Sequence, residues 1–258
     1  GSLVKLGIAF CLAPLLSLMG ATIILFKGKY RKYRPLLSKV KFSSAKNLFN
    51  LGVVFFIIQV AGVVQFQTAN IIIARLFGTA DVTSYNIVYK YFGLINMVFL
   101  IFLTPFWSAS TEAYLKGDIK WIRNGINKYN LLNLILFLVS CLMLIFSREL
   151  YRLWLGEGKV NIGFQLSLWG FVFFNVTVFG SKYVFFLNSI SALRIQFWAC
   201  VLSPFVYILV TMILVKYYHM GIYSLFIASV VANFNSYVLA PLQYYQIIRK
   251  NKKGIWLK

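Results

Sequence analysis

Apolar runs of about 20 to 30 residues recur along this chain, divided by short polar stretches. A hydrocarbon layer of about 30 Å takes roughly 20 helical residues, so each run is long enough to cross it. The pattern predicts seven membrane helices, at approximately 3–26, 47–77, 82–110, 127–147, 163–187, 195–217 and 221–248. Inside lipid a helix is the natural form, because it satisfies its own backbone hydrogen bonds. The expected fold class is therefore all-α, a polytopic membrane helical bundle.

Polar residues inside these runs are costly, and they fall on stripes at helical spacing. Gln59, Gly62, Phe66 and Asn70 share a face of the second helix, and Thr83, Asn86, Lys90 and Gly93 share one on the third. Asn175, Phe179 and Lys182 align on the fifth, Gln196, Ser203 and Tyr207 on the sixth, and Ser229, Asn233, Ser236 and Ala240 on the seventh. Such stripes either pack helices together through small and polar groups or line a cavity. The cavity candidates are Lys90, Asn86, Lys182, Arg75, Gln59, Asn70 and Asn175. Lys90 is the strongest of these, nine residues into its helix and about 13 Å below the helix end, too deep for an easy reach to the surface. Lys182 and Arg75 lie nearer helix ends, where a long side chain can snorkel.

Composition sharpens this picture. Of 258 residues, 60% are apolar and only 12% charged, about half the charged share of a soluble domain. A water-soluble enzyme is thereby excluded, and the net charge of +21 does not imply nucleic acid. That charge sits mostly in alternate loops. Seventeen of the 26 Lys and Arg fall in 27–46, 111–126, 188–194 and the tail from 249, against three in the opposite loops, all within 148–162. The positive-inside tendency then runs the first helix inward and leaves 27–46 and the tail cytoplasmic. Segment 27–46 reads as a connector whose charge sets topology, or as a patch on anionic headgroups of membrane lipids.

The five acids, Asp81, Glu112, Asp118, Glu149 and Glu157, lie in loops or at helix ends. No carboxylate is placed at mid-membrane to bind a cation or exchange a proton, whereas buried lysines suit an anionic ligand such as a phosphate. Cys11, Cys141 and Cys200 stand singly in apolar runs and read as small hydrophobes. His219 falls in an outer turn without a nearby acid, and no nucleotide-cradling glycine loop or nucleophile elbow is present, so neither catalysis nor a cofactor is expected. Asp118 after Gly117 is placed to cap the fourth helix, Gly78 to allow a tight turn, and Pro105 to kink the third helix. The chain opens Gly1-Ser2 without Met, as a piece of a longer protein would.

Residues 70–123 carry a resemblance. The run Arg75 to Gly78 (RLFG), Tyr85 to Lys90 (YNIVYK), Thr104 to Trp107 (TPFW), Glu112-Ala113-Tyr114 leading to Lys116-Gly117-Asp118, and Trp121-Ile122 resemble the first helical hairpin of the C-terminal lobe of a Wzx-type polysaccharide flippase, in the multidrug/oligosaccharidyl-lipid/polysaccharide exporter superfamily. The resemblance implies a MATE-like transporter lobe. Residues 1–26 would be the last helix of an upstream lobe, 27–46 the inter-lobe loop, 47–248 a six-helix C-terminal lobe and 249–258 a basic tail. It further implies flipping of undecaprenyl-diphosphate-linked oligosaccharides (O-antigen or capsule units) across the bacterial cytoplasmic membrane by alternating access. Coupling to protons, sodium or the membrane potential stays open, as does contact with other polysaccharide-assembly proteins. A drug or cation antiporter of the same superfamily, and a glycan-polymerising membrane enzyme, are the rival readings.

Overall fold

The computed structural model describes residues 2–36, 42–156 and 162–257. Lys39, Lys41, Glu157, Lys159 and Lys258, counted above in the loops and tail, lie outside them. Among the described residues the regular structure is helical, with no strand. The chain divides into two compact units, residues 1–51 and 52–258.

The first unit holds helix α1 (Ser2–Lys27), a short 3-10 turn (Arg31–Tyr33) and the beginning of α2 (Phe42–Leu76). From Val4 to Lys27 α1 is long and apolar enough to cross a membrane. It carries Pro14 in its interior and ends on Lys27, where a cation meets the free carbonyls of the last turn.

The second unit contains the rest of α2, then α3 (Thr79–Leu115), α4 (Ile119–Ile145), α5 (Ser147–Leu155), α6 (Phe164–Ser189), α7 (Arg194–Met212), α8 (Ser224–Ala232) and α9 (Ala240–Ile248). Helices α2, α3, α4, α6 and α7 with its π-helical continuation Ile213–Tyr217 each pass as a membrane span. Including α1, that makes six among the described residues, in the order the apolar runs predict. The seventh predicted helix is broken. Here α8 and the stretch Asn235–Ile248 meet at a 44° bend, and Asn235–Leu239 is wound as a π-helix. The pair has the composition of one span, but Asn233, Asn235 and Ser236 at its middle interrupt the regular ladder.

The turns have local causes. Gly78 sits at φ 120° between α2 and α3, a conformation that L side chains rarely adopt. The Asp118 carboxylate accepts from the Trp121 backbone N–H at 2.9 Å, capping α4 as its position after Gly117 suggests. Helix α4 consequently starts at Ile119, eight residues before the apolar run begins, because a well-capped polar turn continues it beyond the lipid-facing part. Helix α5 was not expected at all: residues 148–162 read as loop. It is short and two-faced, and Tyr151 docks it, with its hydroxyl 3.1 Å from Ser167 Oγ and its ring edge-on to Tyr91. Burial pushes the Tyr151 phenol above its ordinary range.

Two hydrophobic clusters are stacked along the second unit. One gathers the end of α2, the first halves of α3 and α6, α5, α7 and α8 around Tyr85, Phe92 and Phe226. The other gathers the second halves of α3 and α6 with α4 and α9 around Phe99, Phe106 and Phe186. Helices α3 and α6 thus run in the same direction through both and form the spine of the unit. Glycines let them approach closely: a Cβ on Gly170 would meet Val88 Cγ1 at 2.5 Å. The outer surface is apolar, with Leu94, Met97, Ile101, Leu131, Leu134 and Leu138 among many exposed side chains. Such a surface belongs in lipid or against further helices.

Candidate functional site: an uncharged cavity within the second unit

A cavity of about 300 Å³ lies among α2, α3, α6, α7 and α8. Helix α2 contributes Gly62, Gln65 and Phe66, α3 contributes Tyr85 and Tyr89, and α6 contributes Phe173 and Thr177. The stripe Gln196 and Ser203 of α7 faces Ser229 and Asn233 of α8, with Asn235 and Ser236 of the π-helical turn beside them. At the meeting point of three elements, Ser203 Oγ donates to Gln65 Oε1 at 2.9 Å and lies 3.4 Å from Asn233 Oδ1. The Asn233 amide donates back to the Ser229 carbonyl at 2.8 Å. Gln196 is 6% exposed, and its Oε1 accepts no hydrogen bond among the described residues, an expensive state for a buried amide. Phe66, Tyr89 and Phe173 form one aromatic wall, with the ring centroids of Phe66 and Phe173 4.9 and 6.3 Å from that of Tyr89. None of the lining residues is charged. The cavity therefore offers neutral donors and acceptors beside aromatic faces, which suits hydroxyl groups and disfavours an unpaired ion.

The stripes of the sixth and seventh predicted helices supply much of this lining, and Gly62 and Phe66 come from the second. Gln65 was missed, although it stands three residues from Gly62 and so on the same face. None of the seven named candidates lines the cavity. Asn86 and Asn70 find each other instead: the Asn86 amide donates to Asn70 Oδ1 at 2.9 Å, joining α3 to α2, and to the Val82 carbonyl. Asn175 accepts from Ser140 Oγ at 3.0 Å, joining α6 to α4. Gln59 and Arg75 are exposed on α2. Lys90 is exposed as well, about 16 Å into α3, on a face it shares with Leu94, Met97 and Ile101.

Lys182 behaves differently from a snorkelling lysine, for it is fully buried. Its ammonium donates to Asn133 Oδ1 of α4 and, at 2.7 Å, to the Phe179 carbonyl. It lies 4.1 Å from the centroid of Phe179 and 4.8 Å from that of Tyr183. Two oxygen acceptors and two ring faces compensate the charge, with no carboxylate partner among the described residues. Nor do the described residues contain three or more His, Cys, Asp or Glu side chains grouped to hold a metal ion.

No family model matches the chain, and no solved structure matches it. It is similar to a Salmonella typhimurium protein named as an O-antigen transporter, at 26% identity over 147 residues, which cover 55% of this chain and 33% of that relative. It is also similar to a Yersinia pseudotuberculosis protein named as an O-antigen export protein, at 27% identity over 188 residues, covering 72% of this chain and 42% of the relative. The chain thus spans well under half the length of these curated relatives, both named for transport. Sequence and structure together describe a multi-pass helical membrane protein similar to O-antigen export proteins.

Proposed function

We propose that this chain is the C-terminal lobe of a flippase that carries undecaprenyl-diphosphate-linked oligosaccharide units across the bacterial cytoplasmic membrane by alternating access. The observation that carries the reading is an uncharged cavity, with amide and hydroxyl groups set among aromatic and apolar walls, inside an otherwise lipid-soluble bundle, in a chain similar to O-antigen export proteins. Amides and hydroxyls of the cavity take sugar hydroxyls, while the lipid tail remains in the bilayer. Lys90, left uncovered by its own bundle, and Arg75, exposed in the last turn of α2, offer positive charge to the diphosphate, for which lysine acts as a point charge. Lys182 contributes from within, through the α4–α6 contact it holds. Loop 27–46 and the tail face the cytoplasm, and an upstream lobe completes the carrier. Moving one charge across 100 mV is worth about 2.3 kcal/mol, so the membrane potential alone biases a cationic path.

The test is transfer of a labelled lipid-linked oligosaccharide across vesicles that hold the whole carrier. Lys90→Ala is expected to slow transfer by about tenfold, the loss of one charged contact, at unchanged abundance. Unaltered transfer in that variant removes Lys90 from the path. No transfer by the unaltered carrier, with cation-stimulated export of a drug in its place, overturns the reading itself.

A further inference from the structure

A second concavity, of about 500 Å³, opens at the basic end of the second unit, between the start of α4 and the end of α9, with α6 behind. Lys120, Arg123, Asn127 and Asn130 line it from α4, Tyr244 from α9 and Arg249 from the residue that ends α9; no Asp or Glu is among its described lining residues. The four α4 residues recur at intervals of three and four, so they occupy one helix face. Arg123 is anchored, its Nη2 donating to the Ile248 carbonyl at 2.9 Å, which leaves further N–H groups for a ligand. Tyr244 is 8% exposed and wedged by its ring against Phe186 and Tyr183, near the Arg123 and Arg249 guanidinium groups, yet its hydroxyl makes no hydrogen bond among the described residues. One turn further along α4, Asn133 holds the Lys182 ammonium, so the polar face runs from the pocket to a buried cation.

The geometry points to a phosphate-binding pocket, in which the headgroup of a membrane lipid is held by Lys120, Arg123 and Arg249 with the Tyr244 hydroxyl donating to a phosphate oxygen. Charge placed only to orient a chain needs no concavity, no anchored guanidinium and no buried phenol. Guanidinium groups match phosphate oxygens in pairs, and basic pockets between membrane helices hold phosphate headgroups. Two membrane lipids present this chemistry, an anionic phospholipid and a prenyl diphosphate. The pocket shares no lining residue with the central cavity, so its ligand and the transported substrate succeed or fail separately.

Native mass spectrometry of the detergent-purified protein, offered phosphatidylglycerol, a prenyl diphosphate or phosphatidylcholine, decides the matter. Retention of either anionic lipid at least about tenfold above phosphatidylcholine is expected, with a loss of about tenfold in Lys120→Gln/Arg249→Gln. Tyr244→Phe lowers retention by a few-fold, roughly one neutral hydrogen bond. Arg148→Gln/Lys216→Gln, exposed and outside the pocket, leaves it unchanged. Retention of phosphatidylglycerol alone assigns the pocket to phospholipid, and of the prenyl diphosphate alone to an isoprenoid carrier; both support a phosphate site. Equal retention of phosphatidylcholine, or an equal loss in the Arg148/Lys216 variant, overturns it.

Discussion

At the residue scale, Gly180 and Lys182 stand two positions apart on α6 under opposite constraints. A Cβ on Gly180 would fall 2.3 Å from the Ser236 carbonyl oxygen, which belongs to backbone and cannot swing away. Gly180→Ala should therefore cost about 1–3 kcal/mol through overpacking, read as a lower unfolding temperature in detergent. Gly62→Ala, with nothing within 4 Å, should leave that temperature unchanged. Lys182 needs its acceptors more than the bundle needs its charge. Asn133→Leu removes one of the two oxygens that hold the ammonium and should destabilise by about 1–3 kcal/mol, whereas Lys182→Met removes the cation together with its cost and should be tolerated in the same assay. Helical spacing in the sequence picks out Lys182 as a polar residue on one face. It does not show that Asn133, 49 positions away, waits there to receive it.

At the element scale, periodicity tells which residues share a face, and packing decides what that face meets. The stripes of α7 and α8 meet each other across a cavity, while Asn70 and Asn86, equally striped, bond directly and leave no space. Ser203→Leu should fill the cavity and abolish transport at near-normal abundance. Cys200, which lines the same space, should react with a small methanethiosulfonate reagent, and bound substrate should slow that reaction. Helix α5 escaped sequence reading because nine residues with Arg148, Glu149 and Arg152 on one side are too short and polar for a membrane run. Its docking depends on Tyr151. Since burial raises that phenol in the folded protein, docking is at full strength below the ordinary tyrosine pKa of about 10 and weakens as pH rises beyond it. Tryptic cleavage at Arg148 should accelerate above that pH, and in Tyr151→Phe the acceleration should be absent.

At the scale of the molecule, hydropathy alone gave the number and order of spans, because a 30 Å apolar layer imposes one length on every crossing. What it could not give is the interior of a span. The last predicted run has the right length and composition, and only the clustering of Asn233, Asn235 and Ser236 hints that it is bent. Orientation rests on loop charge and is open to a direct check. A cysteine in place of Tyr33 should be labelled by an impermeant reagent only from the cytoplasmic side, and one in place of His219 only from the opposite side. Labelling of both from one side would contradict the expected topology.

The broken span also bears on how the protein is made. A translocon sorts segments by hydrophobicity, and two asparagines near the centre of a crossing make it a poor client by itself. Helices α6 and α7 are synthesised earlier, and they hold Gly180 and Ser203, which meet Ser236 and Asn233 respectively. The α8–α9 segment thus enters the bilayer with a berth already prepared, and its insertion efficiency becomes a readout of whether the preceding helices have assembled.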